Sequence, residues 1–379
     1  MLFNKAYRNL EGRIFVMSKQ DSNNNNITIA VAMSGGVDSS VSAALLKKQG
    51  YNVLGFYMKN WGDDMRGFKK SEGQWLKDRE DAMRAAAKFD IRFHTLDFKK
   101  EYQDLVLNCF FSDYKKGRTP NPDVVCNEKI KFGVFLDKAV EMGADMIATG
   151  HYVRKSQIPN SNQCQLLKGI DINKDQSYFL YRLNQKQLSE SMFPVGKYTK
   201  PQTRELAKKL GLLNHDKHDS QGVCFLGHLV LKDFLSRKIK EKPGDIVTKD
   251  GEKVGEHEGL FWYTIGQRKG IKVGGTGPYY VIKRDFDKNQ LVVANNSKDD
   301  ALYSSEVEIE DVSWISGKEP PQKCECRIRY REPLTKCAIT RQDEGAYRVK
   351  FEKPQFAVAS GQSLVLYQGE ICLGGGIIK

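Results

Sequence analysis

The chain has 379 residues, 28% of them charged, and its 60 Lys and Arg outnumber its 47 Asp and Glu to give a net charge of +13. That length exceeds one ordinary core and predicts two or three domains, while no apolar run approaches the roughly 18–20 residues of a bilayer-crossing helix, so no membrane association of that kind is expected. The basic balance permits polyanionic partners, and eight cysteines scattered through so long a chain point to reduced thiols in a cytoplasm, with any disulfide transient and catalytic.

Residues 1–26 read as a flexible N-terminal extension: mildly basic, without the apolar centre of a signal peptide, and ending in four asparagines. From Ile27 onward, ITIAVAM (27–33), YNVLGFYM (51–58), IRFHTLDF (91–98) and DMIATG (145–150) read as strands. Helices predicted over 38–49, 78–89 and 129–142 alternate with them, and the helix ends fall at Gly50 and Gly143. Strict alternation predicts an α/β fold with a doubly wound parallel sheet. KPQTRELAKKLG (200–211) is a further predicted helix, with Pro201 in its first turn and Gly211 at its end. After the basic, helix-like HLVLKDFLSRKIKEK (228–242), short alternating runs with turns at Asp250-Gly251 and Lys288-Asn289 predict small β domains or barrels. The expected division is 27–213 for the nucleotide-binding domain, 214–298 for a small central domain and 299–379 for a C-terminal β-barrel.

SGGVDSS (34–40) stands where the first strand turns into the first helix, at the carboxyl edge of the sheet where such folds hold ligands. Gly35 and Gly36 let backbone NH groups approach an anion, Ser34, Ser39 and Ser40 offer hydroxyls, and the helix adds its positive end. The Gly-Lys-Ser/Thr of a Walker loop and the G-x-G-x-x-G of a dinucleotide loop are both missing. Asp38 reads either as a helix N-cap or as a group near the ligand's metal. The loop resembles that of the pyrophosphate-loop ATPases, which adenylate a carbonyl oxygen and release pyrophosphate.

In GRTPNPDVVCNEKIKFG (117–133), Cys126 stands just before the predicted helix with Lys129 and Lys131 close by. Two readings stay open: a thiol with a lowered pKa, or an inert buried one. Cys224 lies in DSQGVCFLG (219–227), a polar, glycine-flanked segment. Cys324, Cys326 and Cys337 lack a fourth ligand and zinc spacing, and His215, His218 and His228 form no zinc pattern, so no structural metal is assigned.

Taken together, SGGVDSS, PNPDVVCN, ATGHYVR (148–154), KDQSYFLYRL (174–183), DSQGVCF (219–225) and YTIGQRKG (263–270) resemble, in order, the tRNA-specific 2-thiouridylases. The resemblance runs from about Ile27 to the C-terminus. It implies an ATP site at Ala32, Met33, Ser34, Gly35, Gly36, Val37, Asp38 and Ser39, with Met58 and Gly150 near the adenosine and Mg²⁺ accompanying the phosphates. It places Asn121, Pro122 and Asp123 at the target base, Asp123 serving proton transfer or fixing the base. Cys224 becomes the carrier of a persulfide delivered by a sulfur-relay protein or cysteine desulfurase, and Cys126 its nucleophilic counterpart, the two ending as a transient disulfide. tRNA contacts, centred on the anticodon stem-loop, fall at His151, Lys174, Asp175, Gln176, Arg329, Tyr330 and Gln362, and the central domain shares in tRNA binding. RIRYRE (327–332) reads in its own right as a strand alternating basic and aromatic side chains. The implied protein is a cytoplasmic monomer. The competing reading is another adenylating ATPase with the same loop, acting on a small molecule.

Overall fold

The computed structural model describes residues 24–60, 73–218, 239–240, 242–271, 273, 278–342 and 345–379, together with the backbone of an antiparallel pair, Tyr7–Arg8 with Ile14–Phe15. Cys224, His228 and most of the basic segment 228–242 lie outside the described residues.

Alternation within the first apolar run decides the first domain. In β1 (Thr28–Ala32), Ile29 and Val31 face one side and Ala30 and Ala32 the other, and all four are buried because helices cover both faces. β2 (Asn52–Lys59), β3 (Arg92–Asp97), β4 (Met146–Ala148) and β7 (Ser191–Met192) join it in a parallel sheet of order β3-β2-β1-β4-β7. The order reverses at β1, so the loop after β1 opens at the switch point between β2 and β4. α1 (Val37–Lys48), α2 (Gln74–Lys88) and α6 (Lys200–Lys209) pack on the Ile29 face. The opposite face carries two longer helical runs. α3 (99–115) is assembled from Lys99–Tyr102, the π-helical Gln103–Leu107 and Asn108–Lys115, and α4 (122–141) from Pro122–Val125, the π-helical Cys126–Val134 and Phe135–Glu141.

An antiparallel hairpin, β5 (Val153–Gln157) with β6 (Cys164–Lys168), leaves this domain, and the short α5 (Gln185–Ser189) follows it. The small central domain is a four-stranded sheet of β8 (Gly244–Thr248), β9 (Lys253–His257), β10 (Tyr280–Asp285) and β11 (Gln290–Ala294). Its turns fall at the expected dipeptides, with Gly251 at φ +85° and Asn289 at φ +53°.

The last domain is a closed barrel. β12 (Tyr303–Trp314), β13 (Lys323–Arg327), β14 (Thr335–Arg341), β15 (Tyr347–Phe356), β16 (Ser363–Gln368) and β17 (Ile371–Ile378) run in the order β12-β15-β14-β13-β16-β17. β12 then pairs with β17, which leaves the barrel no free edge. β6 adds to β17 through Leu167↔Ile371 and Leu166↔Cys372, so the hairpin of the first domain is hydrogen-bonded to the last. No helix among the described residues is long and apolar enough to cross a membrane.

The expected α/β domain, central domain and β-barrel are all present. Two element boundaries need correction. α4 begins at Pro122, not Lys129, because a proline fits the first helical position and Asn121 supplies its extended N-cap. The expected strand through RIRYRE ends at Arg327; Arg329 and Tyr330 lie in the turn that follows, where Arg331 takes φ +68°.

Candidate active site

The loop after β1 is shaped by its own serines. The Ser40 and Ser39 hydroxyls donate to Gly36 O at 2.9 and 3.2 Å, and Ser34 N donates to Ser39 Oγ at 3.2 Å. Ser39 and Ser40 are buried, so of the three serines expected to meet a ligand only Ser34 is exposed, its Oγ lying 3.3 Å from Ser39 Oγ and accepting from Gly36 N at 3.4 Å. Gly35 has to be glycine: its φ is +75°, and a Cβ there would stand 2.0 Å from Asp78 O.

Gly36, not Asp38, is the N-cap of α1, and no side chain caps it. The first NH groups of a twelve-residue helix therefore point into the loop. Asp38 lies in the first turn, and its carboxylate takes Lys200 Nζ at 2.7 and 2.8 Å and Tyr152 OH at 2.7 Å. Lys200 is the first residue of α6, held there by a Thr199–Gln202 capping box, and only 8% exposed.

A second cation braces the loop from another direction. Lys217 Nζ meets Asp81 Oδ2 at 2.6 Å, Asp78 Oδ1 at 2.8 Å and Gly35 O at 3.2 Å, while Asn214 Nδ2 donates to Gly35 O and Ser40 Oγ, both at 3.1 Å. The Gly35 carbonyl thus turns toward Asn214 and Lys217 and the Gly36 carbonyl toward Ser39 and Ser40, so both loop carbonyls are taken up within the protein.

Gly150 closes the other wall, since a Cβ there would lie 2.7 Å from Ser39 N. The stretch from Ala32 to Ser39 and Gly150 are therefore brought together, and Met58 sits near the carboxyl end of the adjoining β2. His151 follows, buried, with Nδ1 2.7 Å from Thr149 Oγ1 and its ring 5.8 Å from Phe132 of α4.

Burial, helped by the Lys131 charge, holds the His151 imidazole well below its ordinary pKa. The folded chain therefore keeps it neutral while the unfolded chain protonates near pH 6.5. The associated stability is present above that value and lost as the pH falls below it. At pH 5.5 the loss is about 1.4 kcal/mol. Urea denaturation at pH 7.5 and 5.5 should show a loss of stability that is smaller by that amount in His151→Gln, while the part owed to His257, whose pKa burial also lowers, remains.

Cys126 lies in the second turn of α4, 1% exposed among Val124, Ile130 and Phe132. It does not precede the helix as expected. Lys129 is engaged by Glu128 at 2.8 Å, and Glu128 also receives Arg182 at 2.5 Å, so the expected lysine field at the thiol is partly neutralised. Asn121 contacts the Tyr178 hydroxyl, and Asp123 is half-buried one turn before Cys126.

The residues expected at tRNA divide. Asp175 is 2% exposed: it accepts from Gly169 N, Ser177 N and Ser177 Oγ, and pairs with Arg327 at 3.4 Å, so its carboxylate works inside the domain junction. Gln176 Oε1 accepts from Tyr152 N at 2.9 Å. Lys174, Arg329, Tyr330 and Gln362 are half-exposed. Arg329 donates to Ala357 O, the Tyr330 ring lies 4.5 Å from Phe179, and Gln362 Nε2 donates to Thr119 O at 2.7 Å. In the barrel wall, Cys324 and Cys337 face each other across β13 and β14 with their sulfurs 3.7 Å apart, and their mutual contact and burial push the Cys324 thiol far up.

Sequence reasoning missed Lys200, Tyr152, Asn214, Lys217, Asp78 and Asp81. Tyr152 sat inside a recognised motif; the others carried no local signal.

Three family models cover the chain in succession. The tRNA methyl transferase HUP domain matches residues 27–228, the tRNA methyl transferase PRC-barrel domain residues 232–295 and the Aminomethyltransferase beta-barrel domain residues 304–378. The tRNA-specific 2-thiouridylase MnmA of Hydrogenovibrio crunogenus is 47% identical over 369 residues, 95% of this chain and 96% of its own length. That of Proteus mirabilis is 48% identical over 366 residues, 94% of this chain and 98% of its own. Among solved structures, the U34-tRNA thiolase NcsA from Methanococcus maripaludis overlaps 56% of this chain and 64% of its own at 18% identity and a TM-score of 0.33, too distant to bear on function. On the near-complete matches to curated relatives, the chain belongs to the tRNA-specific 2-thiouridylase family.

Proposed function

We propose that the chain is a tRNA-uridine 2-sulfurtransferase that replaces the C2 oxygen of the wobble uridine with sulfur, converting ATP to AMP and pyrophosphate. The observation that carries this reading is the near full-length kinship with the thiouridylases, in a chain whose glycine loop is built to hold an anion. The loop fits a pyrophosphate: α1 is uncapped, and on the open side of Gly36 a Cβ would meet only Ser34 Oγ, at 3.4 Å. Because Lys200 already neutralises Asp38, Mg²⁺ is assigned to the phosphates and not to a protein cage.

A uracil carbonyl is a poor electrophile with a poor leaving oxygen, and ATP supplies the AMP that makes that oxygen leave. Asn121, Pro122 and Asp123 hold the base, with Asp123 managing its proton. Cys224 carries a persulfide received from a sulfur-relay protein or cysteine desulfurase. In one route the Cys126 thiolate attacks Cys224 Sγ and expels hydrosulfide, which displaces AMP from C2. In the other, the terminal persulfide sulfur attacks C2 and expels AMP, and Cys126 then attacks Cys224 Sγ to release the thiolated base. Both end in a Cys126–Cys224 disulfide that a two-electron reductant must reopen.

The test is mass spectrometry of tRNA nucleosides after incubation with ATP, Mg²⁺ and a persulfide donor. The expected result is 2-thiouridine with pyrophosphate release that depends on tRNA. Pyrophosphate released with a small molecule in place of tRNA, and no 2-thiouridine, would establish the competing small-molecule ATPase instead.

A further inference from the structure

The strap 117–121 joins α3 to the N-cap of α4, and two other domains grip it on the way. From the central domain, Arg284 Nη2 donates to Gly117 O at 2.5 Å, and Phe286 fills the place of a Gly117 side chain, where a Cβ would stand 2.4 Å from the ring. From the barrel, Ser360 O accepts from Thr119 N at 2.8 Å and Gln362 Nε2 donates to Thr119 O at 2.7 Å. Gly361, at φ +88°, is pressed so close that a Cβ would lie 2.8 Å from Thr119 N. Between these contacts, Arg118 Nη2 pairs with Glu310 Oε1 of β12 at 2.7 Å. The strap then delivers Asn121, which contacts Tyr178, whose hydroxyl in turn donates to Ser363 O at 2.9 Å.

We infer that Arg118, through its pair with Glu310, is a positioning residue that holds Asn121, Pro122 and Asp123 at the reacting base. The inference rests on the sulfurtransferase reading above. A basic side chain three residues before the base-holding group would ordinarily be assigned to a tRNA phosphate. Here two carboxylates face it: Glu310 in direct contact, and Asp113, whose charge responds to both Arg118 and Glu310. Although Lys116 also lies near Asp113, the Arg118 guanidinium itself is engaged at 2.7 Å by Glu310, which turns its donors to the barrel and ties the strap there. The side chains of the pair are 29% and 33% exposed, so each is partly solvated and breaking the pair should lower the melting temperature by only a few degrees. Catalysis is more sensitive, because a displacement near 1 Å at reacting groups costs up to about 100-fold in rate.

The experiment is a double-mutant cycle of Arg118→Gln and Glu310→Gln in the full chain, reading kcat and the KM for tRNA, with thermal melting as the check on folding. Each single variant should lose about 10-fold in kcat with KM within about twofold of wild type, and the double variant should be no worse than either single, because the pair acts as one unit. A phosphate contact predicts otherwise: Arg118→Gln would raise KM, and Glu310→Gln, which removes a negative charge near RNA, would leave kcat intact and lower KM. That pattern, or losses that multiply in the double variant, overturns the inference. Wild type measured alongside separates the two levels. Failure of wild type to make 2-thiouridine removes the sulfurtransferase reading itself, whereas active wild type with unimpaired variants removes only the role of Arg118.

Discussion

Cys126→Ser should lower 2-thiouridine formation by at least about three orders of magnitude, the scale seen when a nucleophile is removed, while pyrophosphate release and tRNA affinity stay close to wild type. A serine hydroxyl is not ionised near neutral pH and does not attack a disulfide-like sulfur, whereas in the proposed reaction activation of the uridine oxygen precedes sulfur transfer and needs neither thiol. Because Cys126 is 1% exposed in an apolar cluster, a hydroxyl, more polar than the thiol, is also less favourable there. Cys126→Ala removes the thiol without burying a hydroxyl and should show the same loss of thiolation. Cys224→Ser should match it. Full thiolation by either single cysteine variant would end the two-cysteine mechanism.

How much of this was legible in the sequence depends on range. The parallel sheet could be read because the strands of 27–58 are short, near-continuous apolar runs of the kind buried on both faces, and the glycine loop because strand, glycines and helix are contiguous. The 99–115 helix had a signal that was passed over: Tyr102, Val106, Phe110 and Tyr114 recur at helical spacing and are all buried. Pro122 likewise marked the start of α4, and reading it that way would have placed Cys126 inside the helix. An N-cap was one of two readings open for Asp38, a good capping residue near a helix start, but the cap is Gly36 and the carboxylate goes to Lys200, 162 positions away. No local pattern encodes such a pair, nor Lys217 with Gly35, nor Arg118 with Glu310. Only the order of the strands and the docking of the barrel bring them together.

The Asp38–Lys200 pair decides what Asp38 does, because its two halves should fail in opposite ways. Asp38→Asn leaves the Lys200 ammonium, with its side chain only 10% exposed, facing a neutral amide. Breaking a buried pair from that side should cost about 2–3 kcal/mol of stability, the low end of the usual range because Asp38 is 29% exposed. Lys200→Met leaves a more exposed carboxylate that keeps the Tyr152 hydroxyl, so it should cost only about 1 kcal/mol. Nucleotide affinity should follow the reverse order. In the proposed function the triphosphate would lie at the start of α1, where an unneutralised carboxylate repels it; two like charges at a separation on the order of 6 Å repel by about 2.8 kcal/mol at an effective dielectric of 20, or about 100-fold in affinity. Lys200→Met should therefore bind ATP about 100-fold more weakly, while Asp38→Asn binds it as well as wild type or better. Denaturant melts and ATP calorimetry on the two variants measure both orders. If Asp38→Asn proves the more damaging to ATP binding and pyrophosphate release, the carboxylate works on the nucleotide's magnesium, and the resting pair with Lys200 only holds it until the metal arrives.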